Sequence, residues 1–124
     1  MTPNEIHIKF IPHHQQDYST AGDYWGYEDK WHVRISKTED PKHQALVLIH
    51  EIVEMFLTEA NGVSWEEIDK FDKTGGGKDH PDPGTLKSAP YHNEHMLATQ
   101  IEKRVAKMLG VDWKEYNQSL DSLE

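Results

Sequence analysis

Two rhythms of apolar residues divide this chain. Near the N-terminus the period is two. In "EIHIKFIP" (Glu5 to Pro12), Ile6, Ile8 and Phe10 alternate with His7 and Lys9, and "KWHVRIS" (Lys30 to Ser36) repeats the pattern with Trp31, Val33 and Ile35. Successive side chains of a strand point to opposite faces, so this alternation predicts two half-buried strands. The polar and aromatic stretch between them, "HHQQDYSTAGDYWGYED", reads as a long loop. The pair then forms a short antiparallel sheet within 5–36, too small to stand without a second layer.

Beyond Asp40 the rhythm becomes helical. "PKHQALVLIHEIVEMFLTEA" predicts a helix over 41–60, with Asp40 as N-cap, Pro41 in the first helical position and Asn61-Gly62 as the stop. Leu46, Leu48, Ile49, Ile52, Val53, Phe56 and Leu57 cover most of its circumference, which makes it central. "SWEEIDKFD" opens with a capping box, Ser64 with Glu67, and predicts a short helix. Glycines and prolines in "KTGGGKDHPDPGTLKSAP" predict an irregular, mobile loop over 74–90 that overhangs the site. "YHNEHMLATQIEKRVAKMLG" predicts a second long helix over 91–109, with Ala98, Ile101, Val105 and Met108 on its core face. Asp112 with Glu115 caps a short last helix. The expected fold is one α+β domain over 1–124: a small antiparallel sheet packed on two long and two short helices.

Composition narrows the function classes. A formal charge of −9 with no basic stripe argues against a nucleic-acid partner, since phosphates are held by clustered Lys and Arg. The absence of cysteine removes disulfides, thiolate metal sites and thiol catalysis. "MTPNEIHIKF" lacks the features of a signal peptide, and no apolar run is long enough to span a membrane, so a cytoplasmic location is expected. Nine histidines in 124 residues are a surplus.

The candidate chemistry sits inside the greasiest segment, "LVLIHEIVEMFL" (46–57). Charges there must be paired, hydrogen-bonded or bound to a metal. His50 and Glu54, four residues apart, project from one helix face and can chelate one ion. Glu51 is turned about 100° away, placed to act on a water rather than to ligate. That is the logic of H-E-x-x-H in zinc peptidases, with a carboxylate in place of the second histidine. His with carboxylates suits zinc, and also iron or manganese. The third ligand is sought on 91–109: His95 is the first choice and Glu94 the second, while Glu102, two turns beyond His95, can orient an imidazole from outside. His80 is a possible loop ligand. His92 turns to solvent, and His7, His13, His14, His32 and His43 have no spacing that demands a metal.

Taken together, "IPHHQQDYSTAGDYW", "LVLIHEIVEMFL", "EEIDKFD", "PDPG", "APYHNEHMLATQIEK" and "LGVDWKEY" resemble a family of short bacterial and phage proteins that look like minimal zincin-type metallopeptidases. The resemblance runs nearly end to end. It implies a zincin-like fold, a metal-dependent hydrolase acting on a peptide or small molecule, and Glu94, His95, Thr99 and Glu102 as site-side residues. Such peptidases pair an extended substrate with a strand beside the motif helix, and "KWHVRIS" is expected in that role. Glu54 departs from the zincin pattern and leaves the metal open. The expected chemistry is that His50, Glu54 and His95 hold one divalent ion, and Glu51 deprotonates water. Two alternatives stand beside it: an accessory protein that keeps a metal for folding, and a magnesium-dependent nucleotide pyrophosphohydrolase using Glu51 and Glu54.

Overall fold

The computed structural model describes residues 4–124. Seven main elements follow in order: β1 (Glu5–Ile11), β2 (Gly22–Tyr27), β3 (Lys30–Ser36), α1 (Pro41–Ala60), α2 (Trp65–Lys73), α3 (His92–Met108) and α4 (Trp113–Asp121). The architecture is α+β, a three-stranded sheet with four helices. The sheet is mixed rather than antiparallel: the order is β1-β3-β2, β1 runs parallel to β3, and β2 runs antiparallel to it.

The expected loop between the two strands therefore contains a third. "GDYWGY" alternates too, with Tyr24 buried and Trp25 turned to the other face. A two-residue turn, Glu28-Asp29, joins β2 to β3, and both residues adopt positive φ (51° and 61°). Such a turn matches the twist of a hairpin, and it lacks the glycine that usually announces it. The chain from β1 passes around the C-terminal end of β3 to start β2. Buried Ser36 fastens that passage: its hydroxyl meets His13 Nδ1 at 2.8 Å and Gln16 Nε2 at 3.0 Å.

Trp31, Val33 and Ile35 of β3 and Tyr24 of β2 face the helices, where they join Leu46, Val47 and Met55 of α1 in the core. β1 lies outside this cover. Its apolar residues Ile6, Ile8 and Phe10 stay 38–42% exposed, because α1 packs mainly across β2 and β3. On the opposite sheet face Trp25 stacks on His32 and carries the Arg34 guanidinium 4.6 Å above its ring.

The helix boundaries follow their caps. The Asp40 carboxylate accepts from the Lys42 amide, Ser64 and Glu67 close a capping box, and Asp112 accepts from the Glu115 amide. Gly62 and Gly110 end their helices at positive φ, where a Cβ would strain the backbone. The buried stripe of α3 differs from the predicted one. Glu94, His95, Ala98, Glu102 and Ala106 are buried, while Ile101 is 40% and Met108 79% exposed. Polar groups of α3 turn inward because they meet polar groups of α1. No helix among the described residues is long and apolar enough to cross a membrane.

Candidate metal centre

α1 presents His50 and Glu54 on its buried face, and α3 presents His95 opposite them. Three ligand-type atoms converge. His50 Nε2 lies 2.9 Å from Glu54 Oε2, His95 Nδ1 lies 2.8 Å from the same oxygen, and the two ring nitrogens are 3.1 Å apart. All three side chains are at least nine-tenths buried. A triangle of these edges leaves a point about 2.1 Å from every corner, the bond length zinc makes to nitrogen and oxygen. The group can hold a metal ion.

Each ligand candidate is held from behind. His50 Nδ1 meets Glu102 Oε1 at 2.8 Å, and the Tyr116 hydroxyl of α4 donates to Glu102 Oε2 at 2.5 Å. Tyr24 of β2 donates to Glu54 Oε1 at 2.9 Å, leaving Oε2 for the cluster. A carboxylate behind a ligating imidazole fixes its tautomer and raises its basicity. His95 Nε2 has Asp82 Oδ1 3.1 Å away, yet the contact lacks hydrogen-bond alignment and the nitrogen is buried without a hydrogen bond.

The charges of the cluster act on one another at hydrogen-bond distance. Burial alone would lower the His50 pKa, but its bonds to Glu102 and Glu54 outweigh this and raise it well above the usual value. For His95, burial is likewise outweighed by Asp82 and Glu54, giving about 9. Burial would raise the Glu54 pKa, and the two histidines instead hold it down to about 2. Without an ion, protons supply the positive charge that three converging acceptors require.

Glu51 stands beside the group rather than in it. Its side chain packs against Gly22 of β2, where a Cβ would sit 2.6 Å from Glu51 Cγ and Oε1. It makes no hydrogen bond with the described residues, and burial followed by repulsion from Glu54 pushes its pKa well up. A cavity of about 380 Å³ opens over the group and is bordered by Glu51, Asp23, Asp72, Asp82 and Thr99. No Lys or Arg lines it. Burial, with Asp17 and Asp69 nearby, raises Asp23 to about 7, and burial raises Asp72 to about 6 against a hydrogen bond from Tyr91.

Other expected residues lie elsewhere. Glu94 is buried, but it accepts from Asn61 Nδ2 at 3.0 Å and braces the end of α1. The Thr99 hydroxyl donates to the His95 carbonyl at 2.9 Å. His80 accepts from the Asp82 amide at 3.0 Å and stays outside the group. His92 does not face solvent freely: it is half-buried, and its Nδ1–H donates to the Gly84 carbonyl at 2.9 Å. The loop over 74–90 is not wholly irregular, since Pro83–Thr85 form a 3-10 turn with Pro83 and Gly84 buried. "KWHVRIS" cannot receive a substrate strand, because β3 is paired on both sides; the edge strand beside Glu51 is β2.

Sequence reasoning missed Tyr24, Asp82 and Tyr116. Only Tyr24 left a signal, the alternation of "GDYWGY". No family model, curated protein or solved structure matches the chain.

Proposed function

We propose that the protein is a metal-dependent hydrolase, of zincin-like peptidase type, with His50, Glu54 and His95 holding one zinc ion and Glu51 as general base. The observation that carries this reading is the convergence of three ligand-type atoms within 3.1 Å of one another, beside the Glu51 carboxylate, which makes no hydrogen bond with the described residues. A bound divalent ion supplies a Lewis acid that polarises a carbonyl and lowers the pKa of water.

The residues account for the remaining work. A buried Glu51 with a raised pKa is a stronger base than an exposed one and ionises once positive charge sits beside it. Glu102 and Tyr24 keep His50 and Glu54 aimed inward. β2 offers the edge along which an extended peptide would pair through its main chain. The charged groups of the cavity lining are carboxylates and histidines without Lys or Arg, which favours this reading over a pyrophosphohydrolase, since nucleotide phosphates are commonly gripped by basic side chains.

Metal analysis of purified protein, with hydrolysis of a mixed peptide library, tests this. Glu54→Gln and His95→Ala should lose the ion, because a two-ligand remnant binds poorly. Glu51→Gln should keep it and slow hydrolysis by about a hundredfold or more. Wild-type protein without stoichiometric metal would refute the reading. Stoichiometric metal with no hydrolysis would leave an ion kept for folding alone.

A further inference from the structure

We infer that Asp82 is a positioning residue for His95, and that through it the loop between α2 and α3 is seated on the centre, so that loop seating and ion binding are one coupled equilibrium. This rests on the metal-centre reading but not on hydrolysis.

The two imidazoles are built alike up to one difference. Each turns one nitrogen into the cluster and the other toward a carboxylate. His50 is backed by Glu102, a buried helix residue itself held by Tyr116. His95 is backed by Asp82, a loop residue whose side chain is 58% exposed. One histidine is oriented by the rigid frame, the other by a segment that the chain must lay down separately.

The loop is shaped to deliver that carboxylate. The Asp82 amide donates to His80 Nδ1, and its carbonyl accepts from the Thr85 hydroxyl at 2.7 Å, so the residue is fixed on both sides. Two residues on, Gly84 lies flat against the His95 ring. A Cβ there would come within 2.3 Å of His95 Cγ, which no side chain allows. The Gly84 carbonyl is tied to α3 by His92. The "PDPG" turn thus touches the His95 ring on its face through Gly84 and at its outer nitrogen through Asp82.

His95 Nε2 is buried and left without a hydrogen bond among the described residues. An N–H there has one carboxylate oxygen within reach, 3.1 Å away on Asp82. When Asp82 accepts a hydrogen bond from that N–H, the proton stays on Nε2 and the Nδ1 lone pair is left facing Glu54 and His50, as an ion requires. The preference works both ways. An ion that demands the Nδ1 lone pair favours the seated loop, and a seated loop favours the ion by the same factor.

The test uses full-length wild type, Asp82→Ala and Asp82→Asn. Zinc affinity is read by competition with a chromogenic chelator, and loop seating by trypsin cleavage after the exposed Lys78 and Lys87. Zinc should slow cleavage at both lysines in wild type. Asp82→Ala should bind zinc about 10- to 100-fold more weakly and show no zinc-dependent protection. Asp82→Asn, which keeps an accepting oxygen, should retain most of both. Unfolding is excluded as the cause if the metal-free variants melt with wild type. Wild-type affinity and protection in Asp82→Ala would overturn the inference while leaving the metal centre standing. Absence of zinc binding by wild type would overturn both.

Discussion

Three ligand-type atoms at 2.8–3.1 Å repel one another unless positive charge lies among them, and a metal ion would have to compete with protons for that place. The competition has a measurable sign. Asp82 and Glu54 raise the His95 pKa to about 9 against the effect of burial, so at lower pH an ion would have to displace a proton. Zinc affinity should therefore fall by about tenfold per pH unit for each proton displaced as pH drops below 9. Isothermal titration between pH 6 and 9 checks this, and a flat profile would mean that the ion does not bind through His95. At this scale the juxtaposition of His50 and Glu54 on α1 was legible, since an i, i+4 pair needs only one helix. The residues behind them were not, because Tyr24 and Tyr116 reach the cluster from elements far away in sequence.

Among the elements, the helices were readable because their signals are local: Asp40, Ser64 and Asp112 each satisfy an amide two or three residues on. The strands were harder. Alternation identifies a strand but says nothing of its neighbour, and the parallel pairing of β1 with β3 depends on a connection that rounds Ser36. A hairpin turn without glycine hid β2. The α3 stripe went astray for a different reason. Hydrophobic periodicity assumes that the buried face is apolar, and here His95 and Glu102 occupy it. The exposure of β1 also makes the strands unequal in stability. Ile35→Ala, at a fully buried site in β3, should cost about 2–5 kcal/mol. Ile8→Ala, at a residue 42% exposed in β1, should cost clearly less, about 1 kcal/mol. Chemical denaturation of the two variants measures the difference, and equal losses would place β1 under cover.

The whole molecule carries more buried acid than it neutralises, and this sets its response to pH. Asp23, raised to about 7, and Asp72, raised to about 6, contribute stability that is full below about pH 4 and is lost as pH rises through those values. His95 acts in the same direction, its contribution fading as pH rises toward about 9. Glu54, lowered to about 2, contributes above about pH 4.5 and loses this as the solution is acidified toward 2. Metal-free protein should accordingly be most stable near pH 5 and melt several degrees lower at pH 8. Thermal melts in chelator across that range test it. A higher melting temperature at pH 8 would show that these carboxyls are already paired.

His50 and Glu54 lie four residues apart, whereas His95 follows His50 by 45. The nearer pair is assembled as soon as α1 coils, before any distant contact has formed. Bringing His95 to it closes a loop that contains all of α2 and the glycine-rich segment. A bond across that span would act as a removable cross-link, restricting the unfolded chain much as a disulfide does. In a chain without cysteine, that would be a clasp that chelators, rather than reductants, undo.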